Sequence, residues 1–181
     1  MFLIVEGIHD TGKSTLVNNI CDTIPVIKPY IGKRLFPELV NAKLANVSEF
    51  ALGTNCAVVW FAKYYSTEIS VVFDRLHFSE YAYSIVKRNV NVDFAKERFR
   101  IIDEQLAEAK IKVIYLQCSY EAMLERAKKK NQVYSVNDYY DLQDRFIEAC
   151  KMTKIEVEII DTDVNDKDIV LSKAISFIKE D

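Results

Sequence analysis

Residues 7–14 read Gly-Ile-His-Asp-Thr-Gly-Lys-Ser and follow directly on the apolar run Phe2-Leu3-Ile4-Val5. The chain has only four glycines in 181 residues, and two of them, Gly7 and Gly12, bracket this one stretch. Glycines so placed free the backbone to turn its N–H groups inward and let an anion come close. A lysine and a hydroxyl residue directly after the second glycine, at the start of a helical pattern, complete a loop suited to a phosphate chain. Lys13 can reach terminal phosphates, Ser14 can ligate Mg²⁺, and the helix directs its positive N-terminus at the anion. On this reading Gly7, His9, Asp10, Thr11, Gly12, Lys13, Ser14 and Thr15 bind ATP, and Lys13 is also catalytic.

Such a loop belongs at the end of a strand in a parallel sheet, and the rest of the pattern agrees. Short β-rich runs at 2–5, 26–27, 71–73, 113–116 and 157–160 alternate with longer segments of helical period. They predict a doubly wound α/β fold with a five-stranded parallel sheet. The helical segments are 13–21, 47–66, 78–87, 93–109, 120–130, 136–152 and 167–179, with Ser119 as an N-cap of the fifth. At this length, with 50% hydrophobic residues, one core and one domain over residues 1–181 are expected. The least regular stretch, residues 28–46, carries Pro29, Gly32 and Pro37 and is expected to include a functional loop.

The formal charge of −3 gives no basic field, so nucleic acid is not an expected partner. Cys21, Cys56, Cys118 and Cys150 lie far apart, without CxxC or zinc-ligand spacing, and read as reduced thiols. No signal segment or membrane-length apolar run is present, so a cytoplasmic location without membrane partners is the expectation.

A second constellation lies at Val71-Val72-Phe73-Asp74-Arg75. It places an acid at the carboxyl edge of a core strand, where doubly wound sheets build their sites. Asp74 can hold Mg²⁺ together with Ser14, or accept the proton of an attacking hydroxyl. Arg75 can clamp a phosphoryl group bidentately.

The run Asp74-Arg75-Leu76-His77-Phe78-Ser79-Glu80-Tyr81-Ala82-Tyr83 resembles the motif of the thymidylate kinase and deoxynucleoside kinase family of P-loop phosphotransferases. Asp, Arg, Ser, Ala and Tyr are in register, while Leu76 stands where that family has an aromatic or His and Glu80 where it has a small residue. Glu6-Gly7, Ile114-Tyr115-Leu116 and Leu124-Glu125-Arg126 are similar to the family's strands and lid-proximal helix. The resemblance spans nearly the whole chain and is weakest over residues 25–46. It implies a P-loop nucleotide kinase fold with a short lid at about residues 128–137 and nucleotide substrates. It places Arg75, Ser79 and Tyr83 on the acceptor side, Asp74 by the metal or the reacting hydroxyl, and Arg126 as a catalytic residue reaching the donor. Lys128-Lys129-Lys130 would belong to a cationic lid that screens charge and excludes water; a solvated helix end is the alternative. Members of that family are often homodimers packed through helices beside the sheet.

The acceptor side departs most from the family. Phe50 falls where some thymidylate kinases stack a phenylalanine on the base, and fits an apolar stripe with Ala57 and Phe61 equally well. Thr54 replaces a base-reading arginine, and His9 replaces an acid of the phosphate loop. Phe36-Pro37-Glu38 resembles the family's acceptor loop but continues with Leu39, and Lys28-Pro29 is a second alignment, with Lys28 on the acceptor phosphate. His77 reads as packed or exposed rather than catalytic. The expected reaction is ATP-dependent phosphoryl transfer to a deoxynucleoside monophosphate, dTMP or a modified pyrimidine relative first. A deoxynucleoside kinase acting on a 5′-hydroxyl and a kinase acting on a DNA end or a modified base are the alternatives. A non-catalytic nucleotide-binding module is opposed by the intact Lys13, Ser14, Asp74 and Arg75.

Overall fold

Four parallel strands form the sheet: β1 (Phe2–Gly7), β2 (Val71–Asp74), β3 (Lys112–Gln117) and β4 (Glu156–Asp161), in the order β2-β1-β3-β4. The computed structural model describes residues 1–28, 47–65 and 67–180, without the side chains of residues 47–52. Seven helices are described: α1 (Lys13–Thr23), α2 (Val47–Tyr65), α3 (His77–Arg88), α4 (Val92–Glu108), α5 (Tyr120–Lys128), α6 (Val136–Met152) and α7 (Lys167–Lys179).

The runs on β1 and β3 are apolar at every position because both sheet faces are covered. Phe2 and Ile4 of β1, with Val113 and Tyr115 of β3, pack on one face against α2, α3, α4 and α6. Leu3 and Val5, with Ile114 and Leu116, pack on the other against Leu16, Val17 and Ile20 of α1 and Val170, Ala174 and Phe177 of α7. β4 lies at the edge of the sheet, and its Ile159 is half exposed.

Among the described residues, the expectation of five strands is corrected to four. Val26-Ile27 contributes one parallel bridge, Ile27 opposite Val71. Ile27 N–H donates to Ser70 O at 2.8 Å and its carbonyl accepts from Val72 N–H at 2.9 Å. In a parallel ladder alternate residues pair with the same neighbour, so position 25 would have to extend it toward the N-terminal side. Pro25 carries no N–H to donate. No helix among the described residues is long and apolar enough to cross a membrane, and all four cysteines are free thiols.

Candidate active site

The carboxyl ends of β1 and β2 lie side by side, with Val5 opposite Asp74, so the loops that leave them share one edge of the sheet. Gly7 ends β1 at φ +147°, and a Cβ there would run into the carbonyl oxygen of Leu116. Gly12 sits at φ +97° and serves as N-cap of α1. Only glycine takes both conformations without strain, and between them the loop curls around the N-terminus of α1. Thr11 is buried and donates its hydroxyl to Ile8 O at 3.0 Å. Lys13, 5% exposed, folds back into this curl, where its ammonium donates to Ile8 O and lies 3.3 Å from Thr11 Oγ1. Burial first, and the Arg75 guanidinium second, hold its pKa well below the usual lysine range, against the opposing fields of Asp74, Glu6 and Asp10.

Ser14 Oγ donates to Asp74 Oδ2 at 2.7 Å across 60 residues of sequence. Arg75 follows with φ +75°, a left-handed conformation that costs a side-chain-bearing residue about 1 kcal/mol. Its N–H is held by Val5 O at 3.0 Å. Its guanidinium lies 5.1 Å from the Tyr83 ring centre, with Nη2 3.4 Å from His9 Nδ1. His9 in turn stacks on Tyr134 at 5.3 Å between ring centres and meets Tyr83 edge-on. Glu6, fully buried at the end of β1, accepts from Leu76 N–H at 2.7 Å, from Phe78 N–H at 3.2 Å and from Ser79 Oγ at 2.5 Å.

No protein-family model and no curated protein sequence matches the chain. Solved structures do match, at low identity and over nearly the full length. The YorR protein from Bacillus subtilis, in complex with phosphorylated GDP, is 20% identical with a TM-score of 0.72, over 99% of this chain and 96% of that one. Deoxyadenosine kinase from M. mycoides with bound dATP is 15% identical with a TM-score of 0.69, over 99% and 100%. Thymidylate kinase from Candida albicans is 17% identical with a TM-score of 0.61, over 98% and 90%. The chain has the P-loop nucleotide kinase fold. The resemblance read from residues 74–83 is thus matched by the arrangement of the whole sheet and its helices.

The phosphate loop has a second side, toward α5 and the turn after β4. A cavity of about 470 Å³ opens there, lined by Gly12, Thr15, Asn19, Arg126, Lys130 and Thr162 among others. This volume falls within the usual range for small-molecule sites. Arg126 of α5 donates from Nη1 to Asp10 O at 3.2 Å and to Thr162 Oγ1 at 2.9 Å, and from Nη2 to Thr162 O at 2.8 Å. It ties the phosphate loop to the turn after β4. Lys130, beyond α5, forms an ion pair with Asp10, whose φ of +58° sends its carboxylate toward it. Burial pushes the Asp10 carboxyl up, but Lys130, helped by Tyr134 and His9, outweighs it and leaves the pKa below the usual range.

The structure gathers Gly7 to Thr15, Asp74, Arg75 and Tyr83 at the adjoining carboxyl ends of β1 and β2, with Arg126 on the cavity side of the phosphate loop. Ser79 is buried, with its hydroxyl on Glu6. Lys28 donates to Asn18 of α1 at 2.7 Å. The Phe50 side chain and the 36–39 loop lie outside the described residues. His77 is packed, 3.1 Å from Asp103 and stacked on Phe99. Sequence reasoning missed Glu6 as an anchor, Tyr134 as the partner of His9, and Thr162 with Asn165 and Asp166 as cavity lining. The polar run Asp161-Thr-Asp-Val-Asn-Asp after the last strand was the available signal, since ligands bind beyond the carboxyl ends of strands in such sheets.

Proposed function

We propose that the protein transfers the γ-phosphoryl group of ATP to a nucleotide, with a deoxynucleoside monophosphate as acceptor, dTMP or a related pyrimidine first. The observation that carries this reading is the meeting of Ser14 with Asp74, beside Lys13 and Arg75, at the adjoining ends of β1 and β2. A hydroxyl and a carboxylate are hard oxygen donors suited to Mg²⁺, which keeps most of its octahedron for water and phosphate. When bound between Ser14 and Asp74, Mg²⁺ would screen the charge of the phosphates.

The protein's own groups supply the rest. The loop amides and the N-terminus of α1 receive the phosphate chain, and Lys13 exchanges the carbonyl of Ile8 for phosphate oxygens. Arg126, Lys129 and Lys130 line the donor cleft, and residues 128–137 act as the lid. Arg75 orients the acceptor phosphate in line. The bond between Asp74 and Ser14 supports a metal role for Asp74 over removal of a proton from a 5′-hydroxyl. This favours a monophosphate acceptor over a nucleoside, although a deoxyadenosine kinase is among the similar structures.

A panel of nucleosides and nucleoside monophosphates, assayed with ATP and Mg²⁺, tests the reading. Turnover confined to monophosphates supports it. Turnover of nucleosides alone moves the activity to the 5′-hydroxyl. Salt-sensitive activity on DNA ends with none on free nucleotides overturns it.

A further inference from the structure

Glu6 is an anomaly in its own strand. The residues before it are Phe2, Leu3, Ile4 and Val5, and an apolar side chain of similar volume would spare β1 the cost of desolvating a carboxylate. A buried carboxylate persists where its oxygens are occupied, and here both are, by one segment 70 to 73 residues away. That segment is the turn from β2 into α3. Leu76, the N-cap of α3, makes no side-chain cap of its own, so Glu6 does the capping from another strand. Its negative charge also faces the positive end of α3.

The turn so held contains the left-handed Arg75. Backbone strain of this kind survives only where the surroundings over-determine it. Here β1 fixes two successive amides: Arg75 N–H on Val5 O, and Leu76 N–H on the Glu6 carboxylate. Phe78 and Ser79 then fix the first turn of α3, which carries Tyr83 one and a half turns on, under the Arg75 guanidinium. Glu6 also adjoins Gly7, so the carboxylate that sets the direction of Arg75 hangs from the strand that ends in the phosphate loop.

We infer that Glu6 is a positioning residue for the acceptor side: its carboxylate holds the Arg75–Leu76 turn so that the Arg75 guanidinium faces the cleft. This rests on the phosphotransfer reading above for its kinetic consequence, and on geometry alone for the hold itself. Glu6 touches no reacting group and acts through the backbone of residues 76 and 78 and the hydroxyl of Ser79.

The test compares Glu6→Gln and Glu6→Ala with wild type in two measurements. In the first, steady-state kinetics, Glu6→Ala lowers kcat/KM for the acceptor by about 10- to 100-fold, as loss of hydrogen bonds to a charged group implies. The KM for ATP stays within about twofold. Glu6→Gln keeps an acceptor oxygen for the two amides and retains most of the activity. A role confined to stability would lower the melting temperature and leave this split between acceptor and ATP unmoved. In the second, amide hydrogen exchange at Leu76 and Phe78 speeds up in Glu6→Ala relative to the amides of α1, and less so in Glu6→Gln.

Folded variants with wild-type acceptor kinetics, or with acceptor and ATP parameters falling together, overturn the inference. Unchanged exchange at Leu76 and Phe78 overturns it as well. Should Glu6→Ala not fold, Glu6→Gln and Ser79→Ala carry both measurements with smaller effects of the same pattern. Wild type inactive on every nucleotide would instead overturn the phosphotransfer reading, and the exchange measurement then still decides whether Glu6 holds the turn.

Discussion

Lys13 Nζ is held between a carbonyl and a hydroxyl, Ile8 O and Thr11 Oγ1, in a buried setting that the positive field of the Arg75 guanidinium reaches. Its ammonium is therefore weakened in the free protein and would be strengthened by a polyphosphate in the loop. Linkage fixes the sign: if binding raises the pKa, the nucleotide draws a proton onto Lys13 between the two values. Calorimetric titration with ATP in buffers of different ionisation enthalpy is expected to show proton uptake, confined to the pH interval between the free and bound values of Lys13 and absent from Lys13→Met. Asp74→Asn keeps the shape of the side chain and its contact with Ser14 but removes the charge. It is expected to lower kcat by at least about 100-fold while ATP binding stays measurable, since the loop and Lys13 are untouched. Unchanged turnover would remove Asp74 from the mechanism. These residues were legible because their spacing is local: eight residues of loop, or one strand and its next two positions. Glu6 was legible only within the Glu6-Gly7 pair that resembles the family's strand, and its hold on the turn after β2 was not, because its partners lie 70 to 73 residues on. The pairing of His9 with Tyr134 was hidden for the same reason.

Three helices meet at one carboxylate. Glu148 of α6 accepts from Tyr81 Oη of α3 at 2.7 Å and from Arg145 at 2.6 Å, and pairs with Lys96 of α4 at 2.7 Å. Burial pushes its pKa up, but the bonds from Lys96, Tyr81 and Arg145 outweigh burial and bring it down to about 2. The folded value lies below the ordinary glutamate value of about 4.3, so the stabilisation is present above that pH and is lost as the pH falls toward about 2. Solvent around the 26% exposed side chain screens the contribution to about 1 kcal/mol. Glu148→Gln is expected to lose this amount at pH 7 in urea unfolding, with the difference from wild type shrinking as the pH falls below about 4.3 and vanishing only at about pH 2 and below. A constant difference across that range would assign the loss to packing. The helices themselves were well marked in the sequence, because amphipathic periodicity over 9 to 19 residues is redundant. The two-residue run Val26-Ile27 had no such redundancy, and Pro25, without an N–H, cannot extend its bridge toward the N-terminal side.

The cavity beside the phosphate loop, the proposed donor cleft, is lined by residues 10–19 of that loop and α1, residues 126–130 at the end of α5, and residues 162–170 from the turn after β4 into α7, with Leu116 of β3 behind them. Arg126 and the ion pair of Lys130 with Asp10 join them. A ligand that needs all three binds the folded chain and not the unfolded one, so it stabilises by mass action, by about 2.7 kcal/mol at 100 times its dissociation constant. For a chain of this length that corresponds to a rise in melting temperature of roughly 5–10 °C with ATP and Mg²⁺. Lys130 is the adjustable member of the set, since its side chain is 61% exposed while Asp10's is 4% exposed. Removing Lys130 leaves the Asp10 carboxylate without its cation, so Lys130→Ala is expected to melt several degrees below wild type without ligand, and the comparison is made on the rise that ATP adds to each protein. On the proposed lid role, the variant also removes a charge that would face the phosphates and leaves the buried Asp10 carboxylate uncompensated beside them. The variant should show a clearly smaller rise at the same ATP concentration, and a weaker dissociation constant by calorimetry. Equal rises in the two proteins would mean that the segment after α5 does not close on the donor, and that its lysines only solvate a helix end.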